Sequence, residues 1–101
     1  MLPARFLVAA AMLLPISSPI LQAGEITGVV VFKDGSKAKG VAVSGLTSGP
    51  LGGVTGKVYT DSQGRFRLTW SSKGGLAKVY VRGNTVATDV KDGADVRLVI
   101  D

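Results

Sequence analysis

The chain has 101 residues, with 12 lysines and arginines against 7 aspartates and glutamates, and a formal net charge of +5. It has no cysteine and no histidine. Their absence excludes a disulfide framework, a thiolate nucleophile, a Ser-His-Asp triad and a zinc site with the usual ligands. The length suits one domain, since single domains usually span about 50 to 250 residues.

The first 23 residues have the pattern of a secretory signal peptide. A positive start with Arg5 leads into an apolar run from Phe6 to Leu14, which Pro15 and polar residues end. The run is shorter than the ~20 residues that a membrane-spanning helix needs. An N-terminal strand or helix packed on the domain and an uncleaved membrane anchor are the alternatives. We expect cleavage after Ala23, one domain over residues 24–101 without a membrane span, and export to the periplasm or the cell exterior.

The remaining sequence alternates apolar and polar residues in short stretches separated by turn residues such as Asp34-Gly35. No stretch has the apolar spacing of an amphipathic helix. Strands at this spacing indicate an all-β sandwich or barrel. The predicted strands cover residues 26–33, 41–46, 57–60, 65–70, 76–82, 85–90 and 95–100.

Alternation also assigns each side chain to a face of its sheet. The predicted inward set is Ile26, Val30, Phe32, Val41, Val43, Val58, Phe66, Leu68, Trp70, Val79, Val81, Val96, Leu98 and Ile100. The predicted outward set is Lys57, Tyr59, Arg65, Arg67, Lys78, Tyr80, Arg82 and Arg97. Val29 and Val31 also fall on the outer side, where either another segment covers them or a second subunit contacts them.

Three motifs carry a resemblance to a known family. They are Ile26-x-Gly28-x-Val30 with Asp34-Gly35 and Gly40-Val41-x-Val43, then Thr60-Asp61-x-x-Gly64-x-Phe66-x-Leu68, then Gly75-Leu76-x-Lys78-Val79-x-Val81-x-Gly83. In this order, over residues 25–101, they resemble the carboxypeptidase regulatory-like domain. The resemblance implies a seven-stranded Greek-key β-sandwich of the immunoglobulin or transthyretin-like kind. It also implies a secreted, non-catalytic module of the sort found beside enzymes or receptors.

The sequence argues against chemistry known in similar folds. Hydroxyisourate hydrolases, which are transthyretin-like, rely on histidines that this chain lacks. A Lys-Asn isopeptide from Lys33 lacks its partner, because Asn84 lies in a predicted turn. We interpret the aspartates at 34, 61, 89, 92 and 95 as turn residues rather than calcium ligands, which must converge in one place. In particular, Asp61 should accept a backbone hydrogen bond and Gly64 should adopt a positive φ. We expect no cofactor and no metal.

Two surfaces are candidates for partner binding. If their strands share one sheet, the outward cations and tyrosines form a basic face. Its members are Lys57, Tyr59, Arg65, Arg67, Lys78, Tyr80 and Arg82. A solvated strand face is the alternative. The second candidate is the loop from Gly49 to Gly56, which includes Pro50 and Leu51 and is either a binding tip or a connector.

These observations predict an exported, non-enzymatic β-sandwich module that binds a protein or carbohydrate partner. We expect no specific binding of nucleic acid, because the net charge is mild. The alternative is a structural subunit of an envelope or secreted assembly, held by pairing of strand edges, in which case the chain forms homo-oligomers.

Overall fold

The computed structural model describes residues 24–50 and 52–101. The predicted signal peptide at residues 1–23 and the predicted binding residue Leu51 lie outside the described residues. The described chain is all-β and forms seven strands, as predicted from the alternation. They are β1 (Gly24–Phe32), β2 (Ala42–Thr47), β3 (Val58–Tyr59), β4 (Arg65–Trp70), β5 (Leu76–Val81), β6 (Asn84–Val90) and β7 (Asp95–Ile100).

The strands form two sheets, compatible with the expected β-sandwich. One sheet has the order β4-β1-β7, and the other has the order β3-β2-β5-β6. β1 pairs antiparallel with β4 and parallel with β7. The four-stranded sheet is antiparallel throughout. β3 and β4 are consecutive in sequence but belong to different sheets, so their outward side chains do not share one outer surface.

The core contains inward side chains from both sheets. β4 shows the pattern most clearly, because Phe66, Leu68 and Trp70 are buried while the residues between them are exposed. Every member of the predicted inward set is buried or packs half-buried against the core. Burial of this apolar surface, at about 25 cal/mol per Å², is the main force that holds the sheets together.

The inward set omits Leu76 and Val90, which are also buried. Leu76 lies three residues before Val79, so strict alternation cannot place both inward. The pairing of β2 with β5 shifts register between Leu46 and Thr47, which indicates a β-bulge. A bulge inserts one residue and reverses the alternation beyond it, and this irregularity explains the omission.

Val31 is 2% exposed, although alternation places it on the outer side of β1. The chain folds back after β1, where Phe32 N–H donates to Ser36 O and Val31 forms an isolated bridge with Lys37. On its other side Val31 lies beside Val99 of β7. Another segment of the same chain therefore covers Val31, the first of the two alternatives. Val29 is half-buried.

The turn between β3 and β4 has the geometry predicted from its sequence. Asp61 Oδ1 accepts hydrogen bonds from the N–H groups of Gln63, at 2.8 Å, and Arg65, at 2.9 Å. Gly64 has a φ of 74° and its N–H donates to Asp61 O. This turn fixes where β4 begins and hence which of its side chains face the core.

Candidate functional site

The structure separates the seven residues of the predicted basic face into three groups. Lys57, Tyr59, Lys78 and Tyr80 belong to the four-stranded sheet or its approach, through β3 and β5. Arg65 and Arg67 lie on β4, in the other sheet. Arg82 lies in the turn between β5 and β6. The strands do not share one sheet, so the prediction of a single basic face is wrong.

The two arginines of β4 are paired with acids on their own sheet. Arg67 forms an ion pair with Glu25 of β1, and Arg65 lies 3.8 Å from Asp95 of β7. The hydrogen bond and the charge of Glu25 raise the pKa of Arg67. Both pairs are exposed, so they contribute little to stability. Their main consequence is that β4 offers no unopposed positive charge to a partner.

Arg82 connects the two sheets at the end of the domain. Its backbone φ is 53° and that of Gly83 is 82°, the conformation of a two-residue turn with positive φ at both positions. Its Nη2 donates to Asp101 O at 3.2 Å, and its guanidinium lies 6.0 Å from the centroid of the Phe32 ring. The side chain of Arg82 is therefore held by contacts at the end of the three-stranded sheet.

The outer side of the four-stranded sheet carries the remaining four predicted residues, and we call it the tyrosine face. Alternation places Val43, Gly45 and Thr47 of β2 inward, which leaves the side chains between them on this face. Cross-strand neighbours then define its rows, because opposite residues in antiparallel strands project to the same side. The rows pair Ala42 with Tyr59, Ser44 with Tyr80, and Leu46 with both Lys78 and Val54.

The tyrosine face exposes apolar and aromatic surface. Val54 is 69% exposed and Tyr59 is 65% exposed, while Leu46 and Tyr80 are half-buried. Val54 lies in the candidate loop from Gly49 to Gly56 but was not named there as a binding residue. Its signal in the sequence was weak, because it is a single apolar residue between glycines. Contiguous exposed apolar surface on a soluble domain often marks a binding site.

The charge on the tyrosine face is positive. Within residues 24–50 and 52–101, neither Lys57 nor Lys78 takes part in a salt bridge. The neighbours of Lys78 and Tyr80 on the edge strand β6 are Thr88 and Thr85, which carry no charge. The two sheets thus differ, since acids oppose the cations of β4 whereas the lysines of the tyrosine face remain unopposed.

The loop from Gly49 to Gly56 is attached to β2 over its second half. Thr47 N–H donates to Gly53 O at 2.9 Å, and Thr55 N–H donates to Gly45 O at 2.8 Å. Pro50 is exposed. A cavity of about 290 Å³ lies between this half of the loop and the end of β4, lined in part by Gly53, Thr55, Trp70 and Ser72. Whether the loop binds a partner stays a prediction.

Among the residues that the structure describes, no three metal-binding side chains come together. No helix in that part of the chain is both long and apolar enough to span a membrane. The carboxylate of Asp34 accepts hydrogen bonds from the backbone and the hydroxyl group of Ser36. Asp89 and Asp95 lie in β6 and β7, so the interpretation of these two as turn residues is wrong.

No family model matches the chain, and no curated protein matches it. Among solved structures, it is similar to part of a 9R-lipoxygenase from Cyanothece PCC8801, at 17% sequence identity and a TM-score of 0.57. The match covers 88% of this chain and 18% of the lipoxygenase chain. At this identity the likeness concerns the fold alone, so it supports the two-sheet all-β architecture.

Proposed function

We propose that the chain is an exported, non-catalytic β-sandwich module that binds a protein or glycan partner through the tyrosine face. The proposal includes the Greek-key connection of a carboxypeptidase regulatory-like domain and a signal peptide that ends at Ala23. Two arguments support it, namely the order of motifs in the sequence and the distribution of strands between the two sheets.

The observation that carries the binding function is the combination of exposed apolar surface with unopposed charge on one sheet. Tyr59 and Val54 are well exposed, while Lys57 and Lys78 make no ion pair in the described part of the chain. A partner with apolar or sugar-ring surface would cover the aromatic rings, and acidic groups at its rim would pair with the lysines. Because exposed charges are screened, the apolar contact supplies most of the affinity.

A comparison of two double variants tests this assignment. Tyr59→Ala with Lys78→Glu removes one ring and reverses one charge on the tyrosine face. Thr69→Ala with Lys91→Glu makes the same change of charge at two exposed positions, one on β4 and one in the loop between β6 and β7. Each protein, and the unsubstituted protein, is immobilised and exposed to envelope extract and to hyaluronan, polygalacturonate and amylose.

We expect the unsubstituted protein and the Thr69/Lys91 variant to retain the same partner equally. The Tyr59/Lys78 variant should lose it. Equal retention by all three proteins would show that another surface binds. A screen against hydrolase substrates tests the non-catalytic part of the proposal. Reproducible turnover above that of a Trp70→Ala variant would contradict it.

A further inference from the structure

Within residues 24–50 and 52–101, the outer edge of β7 presents backbone groups that no other strand pairs with. Thr27 N–H donates to Ala94 O at 3.1 Å, which sets the phase of the parallel pairing between β1 and β7. In that phase the even-numbered residues of β7 bond to β1, and the N–H and C=O groups of Asp95, Arg97 and Val99 point away from it. β7 is the last strand of its sheet, so these groups face its free edge.

The other free edges are interrupted by the devices that commonly prevent edge pairing. β3 has only two residues. The pairing of β5 with β6 shifts register between Val79 and Tyr80, and Asp89 near the end of β6 has a φ of 53°. At β4, the outward N–H and C=O of Arg65 are both bonded to Asp61. By contrast, β7 pairs without a shift along its whole length and contains no glycine or proline.

The charges on β7 are self-complementary. Asp95 and Arg97 lie two residues apart, so both project from the outer side of the sheet. Among the described residues, Arg97 makes no salt bridge, although Arg65 and Arg67 on the same sheet and Lys33 just after β1 each have an acidic partner. When two β7 strands run antiparallel about a two-fold axis at Val96, Asp95 of each copy lies opposite Arg97 of the other. An arrangement centred on Arg97 would instead oppose two like charges.

We propose that β7 pairs antiparallel with β7 of a second copy of this chain, about a two-fold axis through Val96. Asp95 and Arg97 of one copy then exchange backbone N–H···O bonds with Arg97 and Asp95 of the other, and their side chains form two cross-strand ion pairs. The two three-stranded sheets become one six-stranded sheet. The interface lies on the sheet opposite the tyrosine face, so it does not depend on the proposed function.

The test measures dimerisation of the protein expressed from the full 101-residue sequence. Mass spectrometry first determines the mass of the purified polypeptide, so that the molar mass of a monomer is known. Light scattering and sedimentation follow the molar mass from about 1 µM to about 1 mM, the range of weak specific association. Arg97→Asp places two carboxylates opposite each other in each of the two pairs. Asp95→Arg combined with Arg97→Asp restores opposite charges in the same register. Lys73→Asp makes the same change of charge as Arg97→Asp at an exposed position in the loop between β4 and β5 and is the matched control.

We expect a dimer that Arg97→Asp weakens by about tenfold or more, since like charges replace opposite charges in two cross-strand pairs. The combined swap should restore the dissociation constant to within about threefold, and Lys73→Asp should leave it unchanged. A thermal melt of each variant checks that the fold is retained. A monomer over the whole concentration range, a dimer insensitive to Arg97→Asp, or a combined swap that restores nothing would overturn the proposal.

Discussion

The indole ring of Trp70 occupies the space where a side chain on Gly24 would lie. The two residues are opposite each other in the antiparallel pair of β4 and β1. A Cβ added to Gly24 would lie 2.2 Å from Trp70 Cε2 and Nε1. The ring is 7% exposed, and its Nε1–H donates to Gly74 O at 3.0 Å. Trp70 therefore closes one end of the core against the first residue of β1.

Replacement of Trp70 by alanine should unfold the domain or nearly so. Loss of a large buried aromatic side chain usually costs about 3–5 kcal/mol. A small domain without disulfides has only about 5 kcal/mol or somewhat more to lose. Thermal melts followed by circular dichroism measure the effect, with Val54→Ala as the control, because Val54 is 69% exposed. A cooperative melt within a few degrees of the unsubstituted protein would show that the ring contributes little to the core.

Two glycines with similar φ values should differ in their tolerance of alanine. Gly64 has a φ of 74°, and an added Cβ would lie 2.6 Å from the backbone oxygen of Val30. Gly83 has a φ of 82° with no atom within 4 Å of its added Cβ. Gly83→Ala should cost about 1–2 kcal/mol, the strain of a left-handed backbone alone. Gly64→Ala should cost about 2–4 kcal/mol, because the turn must also move away from β1.

Urea denaturation of both glycine variants measures this difference. The unsubstituted protein provides the reference, and equal slopes of the transitions verify that the denatured states are comparable. Equal losses for the two variants would mean that the contact with Val30 relaxes without cost.

Asp61 should make stability depend on pH below about 4. Hydrogen bonds from the N–H groups of Arg65 and Gln63 hold the pKa of Asp61 below its usual range. Because the folded pKa is lower than the unfolded one, the stabilisation is complete above the unfolded pKa and is lost as pH falls through the folded pKa. Asp61→Asn keeps an acceptor oxygen but carries no negative charge, so its hydrogen bonds with the two N–H groups are weaker. The variant should therefore be less stable than the unsubstituted protein at neutral pH.

Urea midpoints at a series of pH values check the prediction for Asp61. The difference in stability between the unsubstituted protein and Asp61→Asn should shrink as pH falls below about 4. Ser62→Ala, in the same turn, should show no such convergence. Asp34 and Asp101 also have lowered pKa values, through Ser36 and Lys33, but they titrate in every protein compared and cancel in the difference. A difference that stays constant with pH would contradict the assigned role.

Local sequence was sufficient to predict the strands but not the candidate site. Alternation identified the inward residues of β4, and the Asp61-x-x-Gly64 pattern specified its turn, since both depend on residues adjacent in the chain. The basic face depended on which strands share a sheet. β3 and β4 are consecutive in sequence, yet they belong to different sheets. That separation depends on long-range pairing, which alternation does not encode.

Other differences arise where the chain departs from regular pairing. The burial of Val31 follows from the fold-back segment at Lys37, and that of Leu76 follows from the bulge next to it. Thr60 is also buried, where its hydroxyl donates to Ala38 O and accepts from Val41 N–H. A threonine beside a turn resembles many exposed ones in sequence. Only the position of the facing loop distinguishes it.

Binding of DNA or heparin-like chains at physiological ionic strength should be weak and only mildly sensitive to salt. A protein that neutralises Z phosphates of duplex DNA shows a slope of log K against log salt of about −0.9Z. Among the described residues, Lys57 and Lys78 are the two lysines that we assign to the tyrosine face, and neither makes a salt bridge, so the slope should be about −2 or shallower. Titrations from low to physiological salt measure both the affinity and the slope.

Lys57→Glu with Lys78→Glu should remove the residual binding. Arg65→Glu with Arg67→Glu should mainly disturb the pairs with Asp95 and Glu25, which lie on the other sheet. Sub-micromolar binding with a slope near −5, lost on reversal of Arg65 and Arg67, would show that cations of both sheets act together on one polyanion.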